Sequence, residues 1–249
     1  MRYHALVCDY DGTVAKDGIL EDPTRRALER LRAAGRKVIL ATGRRIEDLK
    51  VACPDLSVFD LVVGENGAIL YWPATNELRL LAEPPPPSFA ERLTRLGVRE
   101  VASGHVIVAT WQPYELLVLD AIRDLGLELQ VIFNKGAVMV LPTGVNKGTG
   151  VRAALEALHL SGHDAVAVGD TENDHALLAA CECGVAVANA LPVLKQRADW
   201  VTKAERGAGV AELTERILGD DLAFLAPKLA RHDLPIGTDT ESQPVTLPA

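Results

Sequence analysis

Apolar and polar positions along the chain alternate between a strand rhythm and a helix rhythm. Tyr3 to Cys8 form a short run rich in β-forming residues that gives way to acidic residues and Gly12. From Asp22 onward, Leu28 and Leu31 recur at helical spacing, with Pro23 at a first-turn position and Gly35 as the C-terminal stop. Lys37 to Ala41 reads as the next strand and Thr42-Gly43-Arg44 as the loop after it. Ile46 to Val51 reads as a helix and Leu61 to Val63 as a third strand. This β-α-β-α-β order predicts parallel strands with helices on both faces of a sheet.

The rhythm changes between about Leu80 and Pro142. Pro84 to Pro87 cannot continue a sheet interior. After it the pattern predicts a helix over Ser88–Leu96, a strand over His105–Thr110, a helix over Tyr114–Leu125, and two strands, Leu129–Phe133 and Ala137–Leu141. From Lys147 the first rhythm returns. A helix runs to His159, a strand covers Ala165–Val168, a helix reaches Ala180, a strand covers Gly184–Val187, and a helix closes the pattern over Gly209–Leu218. The fold class is therefore α/β, a doubly wound Rossmann-like parallel sheet with an inserted small α+β domain. The boundaries are 1–80 and 143–218 for the core, 81–142 for the insert, and 219–249 for a tail or linker carrying Pro235, Gly237, Pro244 and Pro248.

Composition narrows this picture. A chain of 249 residues with 48% hydrophobic and 24% charged residues can bury a core, and with 4% aromatics that core must be mainly aliphatic. The net charge of -8, with no basic run interleaved with aromatics, argues against a nucleic-acid partner. No segment approaches the roughly 20 apolar residues of a membrane span, and nothing at the N-terminus resembles a signal peptide. Cys8, Cys53, Cys181 and Cys183 show no zinc spacing and need no disulfide, so a cytoplasmic protein is expected.

The candidate chemistry sits at the strand ends. In such sheets ligands collect outside the carboxyl ends of the strands, where Asp9, Asp11, Thr42 and Asn66 all fall. In Asp9-Tyr10-Asp11-Gly12-Thr13 two carboxylates can face one crevice, and they then need a cation between them or a proton on one. Asp170 and Asp174 in Gly169-Asp170-Thr171-Glu172-Asn173-Asp174 add oxygen ligands suited to Mg2+. Thr42 offers a hydroxyl and Gly43 a backbone N–H near a helix start, where anions are favoured. Lys147, after a Gly-bearing turn, can neutralise a phosphate. Trp111 and Tyr114 read chiefly as packing residues, and Asn134 and Lys135, in a turn between strands of the insert, read first as surface turn residues, with a ligand contact the less favoured reading. His105, His159 and His163 share no spacing, and Glu172 reads as a solvated loop acid.

These segments resemble the four motifs of the haloacid-dehalogenase-like phosphohydrolase superfamily. Asp9 to Thr13 is similar to the first, Ala41-Thr42-Gly43-Arg44 to the second, Lys147 to the third and Gly169 to Asp174 to the fourth. The insert, together with Gly64-Glu65-Asn66-Gly67-Ala68 and Gly144-Val145-Asn146-Lys147-Gly148, resembles the Cof-like branch with a type II cap. The resemblance implies a phosphoric monoester hydrolase in which Asp9 is the nucleophile and Asp11 the acid and base. It implies Mg2+ held by Asp9, the Asp11 carbonyl, Asp170 and Asp174, with Asp174 direct or through water. It further implies that Thr42, Lys147 and Asn173 bind the phosphoryl group, with Gly43, Asn66 and Arg44 lining the substrate site, Arg44 toward the substrate's other end. The implied partner is a small phosphorylated substrate such as a sugar phosphate or a phosphoglycolate-like acid. A phosphomutase is one alternative, disfavoured because the insert is short and lacks an Arg cluster. Another is a phosphate-binding regulatory domain, since the ending Pro244 to Ala249 looks like a linker; a further C-terminal domain or a homodimer remains open.

Overall fold

The run Ala-Leu-Val-Cys-Asp has no solvent-facing position, and it forms a strand buried along its whole length, β1 (Ala5–Asp9). Such uninterrupted apolar strands belong in parallel sheets covered on both faces. The computed structural model of the chain describes residues 1–226 and, beyond them, only the backbone of 234–238 and 244–247. After β1 a small hairpin, β2 (Ala15–Lys16) and β3 (Ile19–Leu20), leads into α1 (Asp22–Ala33), whose buried Ala27, Leu28 and Leu31 face the sheet. Then come β4 (Lys37–Ala41), α2 (Ile46–Ala52) and β5 (Leu61–Gly64). The chain next turns back on itself in β6 (Ile69–Trp72) and β7 (Glu77–Leu80), which extend the sheet antiparallel at its edge. The sequence pattern above assigns neither strand, although Ile69–Trp72 is a buried apolar run; only the half-exposed Glu77–Leu80 lacks contrast with a loop.

The inserted part has its own small sheet and core. It runs through α3 (Pro87–Arg95), β8 (Ala102–Ser103), β9 (Val108–Trp111), α4 (Glu115–Asp124), β10 (Leu129–Asn134) and β11 (Ala137–Pro142). The strands form an antiparallel sheet in the order β10-β11-β9-β8, and Phe89, Leu93, Val118 and Val138 pack beneath it as a cluster separate from the main core. The expected strand over His105–Thr110 begins only at Val108. Residues 105–107 instead turn their backbone N–H groups onto the side chain of Glu65, which removes the donors a strand would need.

The chain re-enters the main sheet through α5 (Lys147–Ala157), β12 (Ala165–Gly169), α6 (His175–Ala179), β13 (Cys183–Ala186), α7 (Pro192–Arg197), β14 (Trp200–Val201) and α8 (Arg206–Asp220). The sheet order is β14-β13-β12-β1-β4-β5-β6-β7. Strand order therefore runs outward in both directions from the β1–β12 pair, which are parallel neighbours from Ala5↔Ala165 to Cys8↔Val168. Right-handed crossovers from such a reversal send helices to opposite faces and leave a crevice above the carboxyl ends of those two strands.

Part of the expected tail packs on the core. Leu222 and Leu225 are buried against it, and Trp200 meets Phe224 edge to face with ring centroids 5.5 Å apart. A final antiparallel pair, β15 (Leu234–Thr238) and β16 (Pro244–Leu247), is described by its backbone alone. The rest of the 219–249 expectation, over 227–233, 239–243 and 248–249, lies outside the described residues.

Candidate active site

The crevice between β1 and β12 gathers the acids. Asp9 is the last residue of β1, and the chain leaves the sheet through a tight turn in which Thr13 and Val14 donate back to the carbonyls of Tyr10 and Asp9, both at 3.3 Å. Gly12 has φ +88°, and a Cβ there would stand 2.3 Å from Asp170 Oδ2, so both conformation and space call for glycine. From β12, Asp170 enters the same space and accepts from Thr13 Oγ1 at 3.2 Å. Asp174, one helical turn on, accepts through Oδ2 from the N–H groups of Asp170 and Thr171 at 2.9 and 3.0 Å. This holds its other oxygen toward the crevice.

Lys147 lies between the acids. It starts α5 because Asn146 caps that helix, accepting from Thr149 N while Thr149 Oγ1 accepts from Asn146 N, each at 3.0 Å. Its ammonium donates to Asp9 Oδ1 and, at 2.7 Å, to Asp174 Oδ1. With a side chain 1% exposed it is a fully buried cation. Burial opposes its charge, but Asp174 and Asp9 outweigh burial and hold the ammonium above the ordinary lysine range. Asp9 itself is pushed well above the ordinary carboxylate range by burial and by Asp174, against the pull of Lys147. Burial also raises Asp170, opposed by Lys135.

The second rim of the crevice comes from the ends of β4 and β5. Thr42 is buried; its Oγ1 accepts from Arg44 N at 3.1 Å, and its carbonyl accepts from Asn66 N at 2.9 Å. Asn66 reaches across to the β12 side, where its Oδ1 accepts from Asn173 Nδ2 at 3.0 Å. Arg44 grips Asp11 in a bidentate pair, both contacts 2.7 Å, and its guanidinium lies 5.3 Å from the centre of the Tyr10 ring. That hydrogen-bonded pair keeps the guanidinium charged. The structure thus brings Asp9, Asp170, Asp174 and Lys147 into direct contact range, with Thr42, Asn66 and Asn173 bridged beside them. Asp11 is turned toward Arg44.

The inserted domain roofs this region. A cavity of about 460 Å³ between the two parts is lined by Asp9, Asp11, Gly43 and Arg44 below and by Trp111, Asn134, Lys135 and Met139 above. Lys135, at the tip of the β10–β11 hairpin, donates to the Asp11 carbonyl at 2.5 Å and to Asp170 Oδ2 at 3.0 Å. Trp111 faces the cavity and is half exposed, whereas Tyr114 packs in the small core of the insert. Two participants escaped the sequence reading. Asn189 donates to the Gly12 carbonyl at 2.9 Å, and Glu65 is buried beneath the insert. Neither carries a spacing signal; the clue to Glu65 is its place in the Gly64-Glu65-Asn66-Gly67-Ala68 segment.

The donor set suits a hard divalent cation. Asp9, Asp170 and Asp174 are all buried, and one oxygen from each lies within 4.8 Å of the others. Three carboxylates so close, with one buried lysine as counter-charge, leave negative charge that a cation with oxygen preference would balance.

Comparison with known proteins defines the class. The chain matches the haloacid dehalogenase-like hydrolases over residues 6–96 and 120–213, and it belongs to that family. A phosphoglycolate phosphatase of Methanothermobacter thermautotrophicus is 31% identical over 229 residues, covering 86% of this chain and 99% of that protein. The crystal structure of Thermoplasma acidophilum 0175 superposes with a TM-score of 0.76 at 16% identity, over 88% of this chain and 99% of its own. A subclass IIB sugar phosphatase superposes at 0.66 with 20% identity, over 86% and 97%. The α/β core with an inserted cap and the phosphoric monoester hydrolase expected from the sequence agree with these relatives. Among the described residues no helix is long and apolar enough to cross a membrane.

Proposed function

We propose that the chain hydrolyses a small phosphomonoester with a second anionic end, of the phosphoglycolate type, through an aspartyl-phosphate on Asp9. The observation that carries this reading is the convergence of Asp9, Asp170 and Asp174 on Lys147 at the β1–β12 switch point, under a cavity of limited volume. The relative named phosphoglycolate phosphatase supports the substrate class.

In this account Asp9 attacks phosphorus, forming an O–P bond as the bond to the leaving oxygen breaks. Lys147 pulls the attacking carboxylate toward its ionised form, against burial and Asp174, and sets its orientation. Asp11 delivers a proton to the leaving oxygen and later takes one from the water that cleaves the acyl phosphate. Thr42, through its hydroxyl, and Asn173 hold the phosphoryl oxygens, and Asn66 fixes the Asn173 amide. Gly43 offers backbone against the substrate, and Arg44 orients Asp11 and faces the far end of the ligand. Asp9, the Asp11 carbonyl, Asp170 and Asp174 would hold Mg2+, which when bound supplies positive charge to the transferring phosphoryl group.

The test is phosphate release across a panel containing 2-phosphoglycolate, sugar phosphates and nucleotides, with Mg2+ and with a chelator. Release from small dianionic esters only when Mg2+ is present is expected. Equal release in the chelator would sink the metal assignment, and no release from any ester would sink the hydrolase.

A further inference from the structure

We infer that Glu65 is a positioning residue that fixes the cap on the core, and thereby sets Lys135 and Trp111 over the reacting groups. This rests on the reading of the cavity as the substrate site.

Glu65 is fully buried, and among the described residues it forms no ion pair with a lysine or arginine; the His105 ring Nδ1 lies 3.4 Å from its Oε1. Its carboxylate accepts three consecutive backbone N–H groups, from His105 at 2.8 Å and from Val106 and Ile107 at 2.7 and 2.8 Å. Successive N–H groups converging on one point form an anion-binding nest, and here the anion is supplied by another part of the same chain. The nest is the β8–β9 turn of the cap. Its side chains Val106 and Ile107 are buried in the main core, while Val108, the next residue, belongs to the small core of the cap. The turn is thus where the cap is plugged into the core, and Glu65 is the polar group at the bottom of the socket.

The socket is continuous with the catalytic loops. Glu65 and Asn66 both adopt left-handed backbone, φ +49° and +56°, a conformation that costs free energy for such residues. It is held by Glu65 N donating to the Arg44 carbonyl at 3.0 Å and Asn66 N to that of Thr42 at 2.9 Å. Arg45, locked by Asp48, adds a second grip on the turn through the Ser103 carbonyl at 3.1 Å. On the cap side, β9 pairs with β11 from Val108↔Val140 to Trp111↔Ala137, and Gln112 N donates to Gly136 O at 2.9 Å. The sheet therefore transmits the position of the socket directly to the hairpin tip that carries Lys135.

The geometry distinguishes charge from shape. A glutamine at 65 would turn an amide donor toward backbone donors, so an isosteric change should fail where a packing role would tolerate it. Gly104 provides an independent perturbation, since a Cβ there would stand 2.4 Å from Glu65 Oε1.

The experiment compares the full-length wild type with Glu65→Gln and Gly104→Ala by hydrogen exchange of peptides and by steady-state kinetics. Exchange at 104–107 and 134–137 should accelerate by about tenfold or more, as expected for a lost hydrogen bond to a charged group. Peptides over β1 and β12 should keep their protection, and KM for 2-phosphoglycolate should rise roughly tenfold with a smaller fall in kcat. Unchanged exchange at 104–107 in both variants would overturn the clamp, as would acceleration spread evenly over core and cap. Local loosening with an unchanged KM would overturn its role in positioning. If the wild type releases no phosphate, the phosphatase reading fails, and the exchange measurement still decides the clamp. Should Glu65→Gln not fold, Gly104→Ala carries the same comparison.

Discussion

Replacing Lys147 by methionine removes a buried cation while keeping the length of the side chain. The ammonium touches two carboxylates whose side chains are 6% and 0% exposed, so neither Asp9 nor Asp174 can regain water when it is lost. Breaking a buried ion pair by removing one partner costs about 3–5 kcal/mol. At roughly 2–4 °C per kcal/mol for a chain of this size, the midpoint of thermal unfolding should drop by about 6–20 °C at pH 8. The cost should shrink in acid. Asp9 already lies above its ordinary range, pushed up to about 8 by burial and Asp174, and loss of Lys147 removes the group that pulls it down. A carboxyl raised in the folded state favours folding while protonated, and that advantage disappears as pH rises through the raised value. The variant should therefore lie closest to wild-type stability near pH 5 and fall away from it as pH rises through about 8 and beyond. Thermal unfolding followed by circular dichroism at both pH values, without divalent cation, checks this. A variant within 2 °C of wild type at pH 8, or one equally destabilised at both, would refute the buried-triad reasoning.

Three further outcomes follow from the same geometry. Because a metal needs the Asp9 carboxylate ionised and burial raises that group, Mg2+ should stabilise the protein more at pH 8.5 than at pH 6, read as the shift in unfolding midpoint. Gly12→Ala should weaken Mg2+ binding at least tenfold by titration calorimetry, since the new Cβ meets Asp170 Oδ2 and the φ of +88° is unfavourable for alanine; wild-type affinity would show that Asp170 is not held there. Arg44→Ala should lower kcat/KM by about ten- to a hundredfold by releasing Asp11 from a bidentate pair, with Arg44→Lys recovering little of the loss. Equal rescue by lysine would mean that charge alone matters at that position.

What the residues revealed and what they concealed divide along physical lines. Buried parallel strands such as Ala5–Asp9 and Ala165–Gly169 show as unbroken apolar runs, and the acids that end them stand out against those runs. The antiparallel edge at Glu77–Leu80 did not, because half-exposed edge strands carry no such contrast. The strand pattern starts before β9 because Val106 and Ile107 have strand-forming side chains, whereas the backbone of His105 to Ile107 is captured by Glu65, a contact spanning some forty residues that no local pattern encodes. Arg44 illustrates the same limit at the site. Its place beside Thr42 was legible in the motif, but its grip on Asp11 depends on how β1 and β4 lie side by side. Lys135 was legible only as a residue in a cap turn; the packing of cap on core brings it to Asp170.

The claim that most needs direct trial is that Asp9 is the nucleophile. Phosphate release from 2-phosphoglycolate with saturating Mg2+, measured for wild type and Asp9→Asn after both are shown to be folded, tests it. Rapid release by the wild type and a loss of about 10⁴-fold or more in the variant are expected, the scale seen when a covalent nucleophile is removed. An Asp9→Asn protein that turns over within tenfold of wild type would contradict the claim.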